Sequence, residues 1–142
     1  MTDSEISEHN GHIDHVEINV SDLAKSVKFW EYILKTLGYV EYQNWLKGRS
    51  WILGNTYIVM VQVDKKYMDI KYHRKAVGLN HLAFSATVNQ IQEIRKHLME
   101  MNATLLYEDR FPHAGDRDEY SLFFEDPDRI KVEIVSRNRK TD

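Results

Sequence analysis

His15 opens the β-rich run HVEINV, His81 opens HLAFSA at 81 − 15 = 66 residues further on, and Glu133 stands inside the apolar run KVEIV. Imidazole nitrogen and carboxylate oxygen are the donors that divalent metals take where thiolate is lacking. Burying an ionised carboxylate without a partner is costly, so Glu133 needs a cation beside it. Gln62, in YIVMVQV, adds an amide oxygen, and matching VQV to VEI strand for strand makes it the counterpart of Glu133. Taken singly, a strand histidine or glutamine is more often packed and hydrogen-bonded than a ligand. The matched positions of His15, Gln62, His81 and Glu133 favour a metal: a mixed nitrogen and oxygen set suited to octahedral Fe, Mn, Co or Ni, or to Zn with water.

Strands must bring these groups together, and alternation decides which can converge. His15, Glu17 and Asn19 share one face, as do His81, Ala83 and Ser85, while Glu133 goes with Lys131 and Val135, and Gln62 with Met60 and Asp64. Glu17, two residues beyond His15 and on its face, is the candidate acid/base, with Glu133 the other candidate catalytic carboxylate; the alternative for Glu17 is a rim carboxylate paired with a cation. Arg74 in the link YHRK, with Arg110 and His113 in DRFPH, could supply cations for an acidic substrate, although such stretches are more often solvated. Trp45, Trp51 and Tyr57 could stack on a flat ligand or simply pack in the core, and Asn19 joins Trp51 as a candidate substrate contact.

The positioning elements repeat. A strand over 13–20 is followed by a helix capped at Ser21 or Asp22, with Leu23, Val27, Trp30, Leu34 and Leu37 on one face and Gly38 as its stop. Strands are expected at 39–43, 50–53 and 56–63, the last two joined by the Gly54-Asn55 turn. After the charged link KKYMDIKYHRK the order returns: HLAFSA, a helix capped by Thr87 with Val88, Ile91, Ile94, Leu98 and Met101 on one face, then strands at 104–107, 120–124 and 130–135. Asp126-Pro127-Asp128 marks the last turn. The fold class is therefore α+β, two βαβββ modules over about 12–64 and 78–136, with a flexible arm at 1–11 and a polar tail at 137–142.

Composition narrows the function. The chain has 142 residues, enough for one well-packed domain, and its 19 basic and 22 acidic side chains give a net charge of −3, which offers no attraction to nucleic acid or an anionic membrane. The absence of cysteine excludes disulfides, thiolate metal sites and thiol nucleophiles. No run approaches the ~18 apolar residues of a membrane span, so a cytoplasmic protein is expected.

The runs IDHVEINVSDLAKSVKFWEYILKTLGY, GLNHLAF and FFEDPDRIKVEIV resemble the vicinal oxygen chelate superfamily, which includes glyoxalase I, extradiol dioxygenases, methylmalonyl-CoA epimerases, thiol transferases acting on fosfomycin, and bleomycin-resistance proteins. The resemblance implies two modules curved into a partly open eight-stranded barrel with helices outside and a divalent metal in the cleft. Carried over by position, the ligands fall on His15, His81 and Glu133. The fourth position, commonly Glu in bacterial glyoxalase I, is Gln62 here, which resembles the epimerase set, while two His and one Glu alone resemble dioxygenases and transferases. The resemblance implies a metal that polarises the oxygens of a small oxygen-rich substrate, with isomerase, lyase, dioxygenase and transferase chemistry all open. Epimerase-like proton transfer and metal-free binding of a small molecule are the alternatives, and a homodimer is expected.

Overall fold

The computed structural model describes residues 8–116 and 118–137; residues 1–7 of the expected arm and 138–142 of the expected tail lie outside them. The first module runs β1 (His15–Val20), α1 (Leu23–Thr36), β2 (Val40–Trp45), β3 (Gly48–Leu53) and β4 (Thr56–Gln62). The second runs β5 (Leu82–Ser85), α2 (Val88–Glu100), β6 (Leu105–Leu106), β7 (Tyr120–Glu125) and β8 (Lys131–Ser136).

Local chemistry sets the helix ends. The Asp22 side chain accepts from the Lys25 backbone N–H at 3.2 Å and starts α1. Gly38, at φ +98°, takes the left-handed conformation that closes it. Thr87 and Gln90 form a reciprocal capping box at the start of α2. Each helix turns an apolar stripe onto its sheet: Phe29, Trp30, Ile33 and Leu34 from α1, and Ile91, Ile94 and Leu98 from α2, are buried. Each large side chain in that stripe contributes roughly 1.5–3 kcal/mol of burial. Val88, expected on the stripe of α2, is exposed.

Each module forms a four-stranded sheet, in the orders β1-β4-β3-β2 and β5-β8-β7-β6. In both, the first strand lies parallel to the last and sits at a free edge, and the remaining pairs are antiparallel. The sheets do not close on one another, so the barrel is open. β6 shrinks to a pair of residues because Tyr107, at φ +58°, turns the chain out of the sheet.

A shared core and a polar clamp join the modules. Trp30 Nε1 donates to Asp126 Oδ2 at 3.1 Å, Gln90 Nε2 donates to the Thr36 carbonyl at 3.0 Å, and Tyr32 stacks on His97 at 3.9 Å between the helices. Asp128 accepts from both the backbone N–H and the hydroxyl of Ser21. The turn before β8 thus holds the start of α1.

Candidate metal centre

With one face of each sheet covered by a helix, the other face is free for chemistry. In the second module it carries His81, Ala83, Phe123, Lys131 and Glu133, since Ala83 pairs with Glu133 and Phe123 pairs with Glu133 on its other side. His81 Nε2 stands 3.2 Å from Glu133 Oε1, and Ser121 Oγ donates to Glu133 Oε2 at 3.2 Å. Glu133 is 7% exposed, yet among the described residues its side-chain partners are this imidazole and this hydroxyl. Gly115 covers it, because a Cβ there would stand 3.3 Å from Ser121 Oγ and 3.8 Å from Glu133 Oε2.

The first module presents His15 in the same way. Its Nδ1 stands 2.6 Å from Asp14 Oδ2, as His81 Nδ1 stands 2.7 Å from Asn80 Oδ1. In both, an oxygen on the preceding residue holds Nδ1–H and leaves Nε2 for another partner, the outer-shell arrangement typical of metal-binding histidines. His15 also stacks on Tyr57 at 4.6 Å, and Tyr42 lies 5.3 Å from Tyr57. Burial, then the Asp14 carboxylate, Tyr42 and the Glu17 carboxylate, raise the Tyr57 hydroxyl above its usual range. Glu17 and Asn19 are exposed on the face of His15, as alternation requires.

Sheet register corrects the strand matching of Gln62. Along β1 and β4, Glu17 pairs with Val59, just as Ala83 pairs with Glu133. Counting two residues beyond each histidine, the counterpart of Glu133 is therefore Val59, 2% exposed. Gln62 pairs with Val20, at the far end of β1 from His15 and on the helix side of the sheet. Its Oε1 accepts from the Leu23 backbone N–H at 2.8 Å and its Nε2 donates to the Ser21 carbonyl at 2.8 Å, so the amide caps α1.

Trp51 is corrected by the same parity. It pairs with Ile58 and is 1% exposed in the core, on the helix side of the sheet. Trp45 and Tyr57 remain on the open face, where the Trp45 ring lies against Gly48 so closely that a Cβ there would meet it at 2.1 Å. Arg74 is bonded to Glu125 at 2.7 Å, which settles its charge inside the protein. Arg110 and His113 are exposed, and His113 Nδ1 stands 2.9 Å from the Glu119 carbonyl.

Among the described residues no group of three or more His, Asp or Glu side chains within the chain could hold a metal ion. The structure thus brings His81 and Glu133 together and leaves His15 on the other sheet. A groove of about 840 Å³ follows the free edge of β1, lined by Glu17, Asn19, Tyr67, Met68 and the 127–130 turn, and reaches neither His81 nor Glu133. No described helix is long and apolar enough to cross a membrane. The sequence reading missed Ser121 and Gly115. The Asp126 turn could have found Ser121, since a tight turn there pairs Ser121 with Val135, one alternation from Glu133.

Residues 12–134 match the Glyoxalase/Bleomycin resistance protein/Dioxygenase superfamily. The uncharacterized protein YqjT of Bacillus subtilis (strain 168) is 47% identical over 123 residues, covering 86% of this chain and 96% of that protein. Metallothiol transferase FosB of Staphylococcus saprophyticus is 31% identical over 122 residues, covering 86% of this chain and 74% of that protein. A crystal structure of a Bacillus halodurans protein superposes with a TM-score of 0.87 at 46% identity, covering 91% of this chain and 98% of that one.

Proposed function

The chain belongs to the Glyoxalase/Bleomycin resistance protein/Dioxygenase superfamily, and from that premise we propose that it is a divalent-metal-dependent enzyme acting on a small oxygen-rich substrate. The residues that would hold the metal are His15 of one copy of the chain and His81 and Glu133 of a second copy. The observation that carries this reading is the matched presentation of the histidines. Each has Nδ1 fixed by the residue before it, and His81 Nε2 faces a buried carboxylate oxygen.

Chemistry and topology support the donor set. Two imidazoles and one carboxylate carry a single negative charge, which leaves a divalent ion electrophilic. When bound, the ion supplies Lewis-acid polarisation of substrate oxygens. The chain's own residues then do the remaining work. Ser121 holds the second oxygen of Glu133 and so fixes the plane of the carboxylate. Glu17, exposed on the face of His15, is the candidate to take or give a proton. Both histidines lie at the starts of edge strands, the positions a second copy can approach. Iron, manganese, cobalt, nickel and zinc all suit such donors.

Among the reactions, transfer of a thiol to a small electrophile is the one to test first, because a relative at 31% identity is named a metallothiol transferase. A three-residue donor set without Gln62 is compatible with that chemistry and withdraws the support that a fourth ligand lent to epimerase-like proton transfer.

Complementation tests the shared site. His15→Ala and Glu133→Gln chains, each carrying a different tag, are co-expressed and the mixed pair is isolated. The mixed pair contains one complete donor set and is expected to retain one metal ion by elemental analysis, while either variant alone retains none. No recovery in the mixed pair sinks the shared arrangement, and a parent protein that takes up no divalent metal at micromolar level sinks the enzyme reading with it.

A further inference from the structure

Beside the histidine and the carboxylate, the open face of the second module carries positive charge whose neighbouring acids, among the described residues, are paired with other groups. Lys131 is two residues from Glu133 on the same face of β8. Its cross-strand neighbour Glu125 is already bonded to Arg74 at 2.7 Å and pairs with Arg129 at 3.6 Å. Lys131 Nζ instead lies 5.0 Å from the ring centre of Tyr107 and 5.2 Å from that of Phe123. Arg110 brings a second cation, its guanidinium carbon 5.1 Å from the Tyr107 ring centre. Glu108, in the same turn as Arg110, is bonded to Arg95 at 2.6 Å.

Two cations are thus gathered around one aromatic ring, and among the described residues neither has a carboxylate within ion-pair distance. Aromatic faces orient cations but do not neutralise them, so like charges collected in this way are relieved by an anion. Tyr107 is held at φ +58°, a conformation uncommon for a tyrosine and one that the surrounding structure must enforce. Its ring is edge-on to Phe123 at 5.3 Å, and the Phe123 ring lies 6.4 Å from His81. The charged patch and the proposed metal centre therefore share one wall.

We propose that Lys131 and Arg110, set around the Tyr107 ring, form a subsite for one oxyanion group of the substrate, a phosphate, phosphonate or carboxylate, beside the His81–Glu133 centre. As a statement about substrate, this rests on the enzyme reading above. As a statement about binding, it stands on the metal-free chain alone. Lys131 supplies a point charge from the strand that carries Glu133, and Arg110 supplies a planar fork from the turn outside the sheet. A substrate held at both places would present its oxyanion to these cations and a neighbouring oxygen to the metal.

The test is titration calorimetry of the metal-free full-length protein with inorganic phosphate at matched ionic strength. Saturable binding is expected, weakened about tenfold or more in Lys131→Met and several-fold in Arg110→Gln. Lys131→Arg keeps the charge and is expected to bind close to the parent level, which separates loss of charge from loss of fold. Metal content of Lys131→Met after loading, by elemental analysis, is expected to match the parent. Absence of saturable heat up to about 10 mM phosphate, or equal binding by the parent and Lys131→Met, overturns the subsite. A protein that binds phosphate through Lys131 but takes up no metal keeps the subsite and refutes the enzyme reading.

Discussion

The two modules repeat one order of elements but place different chemistry on their open faces. The second holds a finished pair, with Glu133 buried between His81 and Ser121 and covered at Gly115. The first shows an exposed His15 stacked on Tyr57, apolar Val59 where the second has Glu133, and a β2 strand exposed along its whole length. The repeat therefore presents two equivalent frames, and only one carries an acid at the centre. A half that lacks the acid can still contribute a histidine and a wall, as the proposed two-chain site requires.

The largest expected effect falls on the acidic half. Glu133→Gln keeps the shape and removes the charge, and is expected to lower affinity for a divalent ion at least ~1000-fold, well beyond the ~10–100-fold of a change outside the ligands. His15→Ala is expected to do the same from the other half, with little change in thermal stability because His15 is exposed. If either variant keeps metal in competition against a chelator, the asymmetry between the modules has been misread.

The turns before the last strands differ as much as the faces do. In the first module it is the exposed Gly54-Asn55; in the second it contains Asp126, 5% exposed and bonded to Trp30 of the other module. Burial pushes the Asp126 carboxyl from 3.8 up to about 6, even though it accepts hydrogen bonds from Ile130, Trp30 and Asp128. The folded protein thus holds this proton more tightly than the unfolded chain. The stability that Asp126 contributes is full below pH 3.8 and is lost as pH rises through about 6. The loss is on the order of 3 kcal/mol, flat above that range. Urea titrations of the parent and Asp126→Asn at a series of pH values isolate the effect, because other carboxylates cancel in the difference. A difference that does not change between pH 4 and pH 7 removes Asp126 as a buried titrating group.

Much of the fold was legible because each signal was local. Asp22 and Thr87 capped the helices where their side chains allow, and the 3.6-residue stripes faced the sheets. Alternation also placed Glu17 and Asn19 beside His15. What could not be read was register. Matching VQV to VEI by appearance moved the counterpart of Glu133 from Val59 to Gln62, a slip of three residues that also changes the face of the sheet. Trp51 failed similarly, since an aromatic in a strand looks the same whether it faces solvent or a helix. The loop carrying Gly115 owes its position over Glu133 to long-range packing that no local pattern encodes.

Val59→Glu tests that corrected register directly. It puts a carboxylate at the matched position of the first module, on the same face as His15. In the metal-loaded protein it is expected to tighten binding about tenfold, and in the metal-free protein to lower stability, because an acid then sits unpaired at a buried site. Equal metal affinity in Val59→Glu and the parent would show that the first module does not face the ion at that depth.

Gln62 gives the smallest effect and the sharpest contrast. If it is a cap and not a ligand, Gln62→Ala removes the acceptor for the Leu23 N–H and the donor to the Ser21 carbonyl, both at the start of α1. The cost is then about 1 kcal/mol of stability, the usual size of a lost cap. Metal affinity should stay within about twofold of the parent, because the amide lies on the helix side of β4. Gln62→Glu sharpens the comparison further. A carboxylate there can still accept from Leu23 but cannot donate to Ser21, so it should lose part of the cap without gaining metal affinity. Val59→Glu, only three positions away but on the other face, is expected to behave in the opposite way. Chelator competition run on the pair reads the register of β4 from function, and tighter metal binding by Gln62→Glu would place the amide back among the ligands.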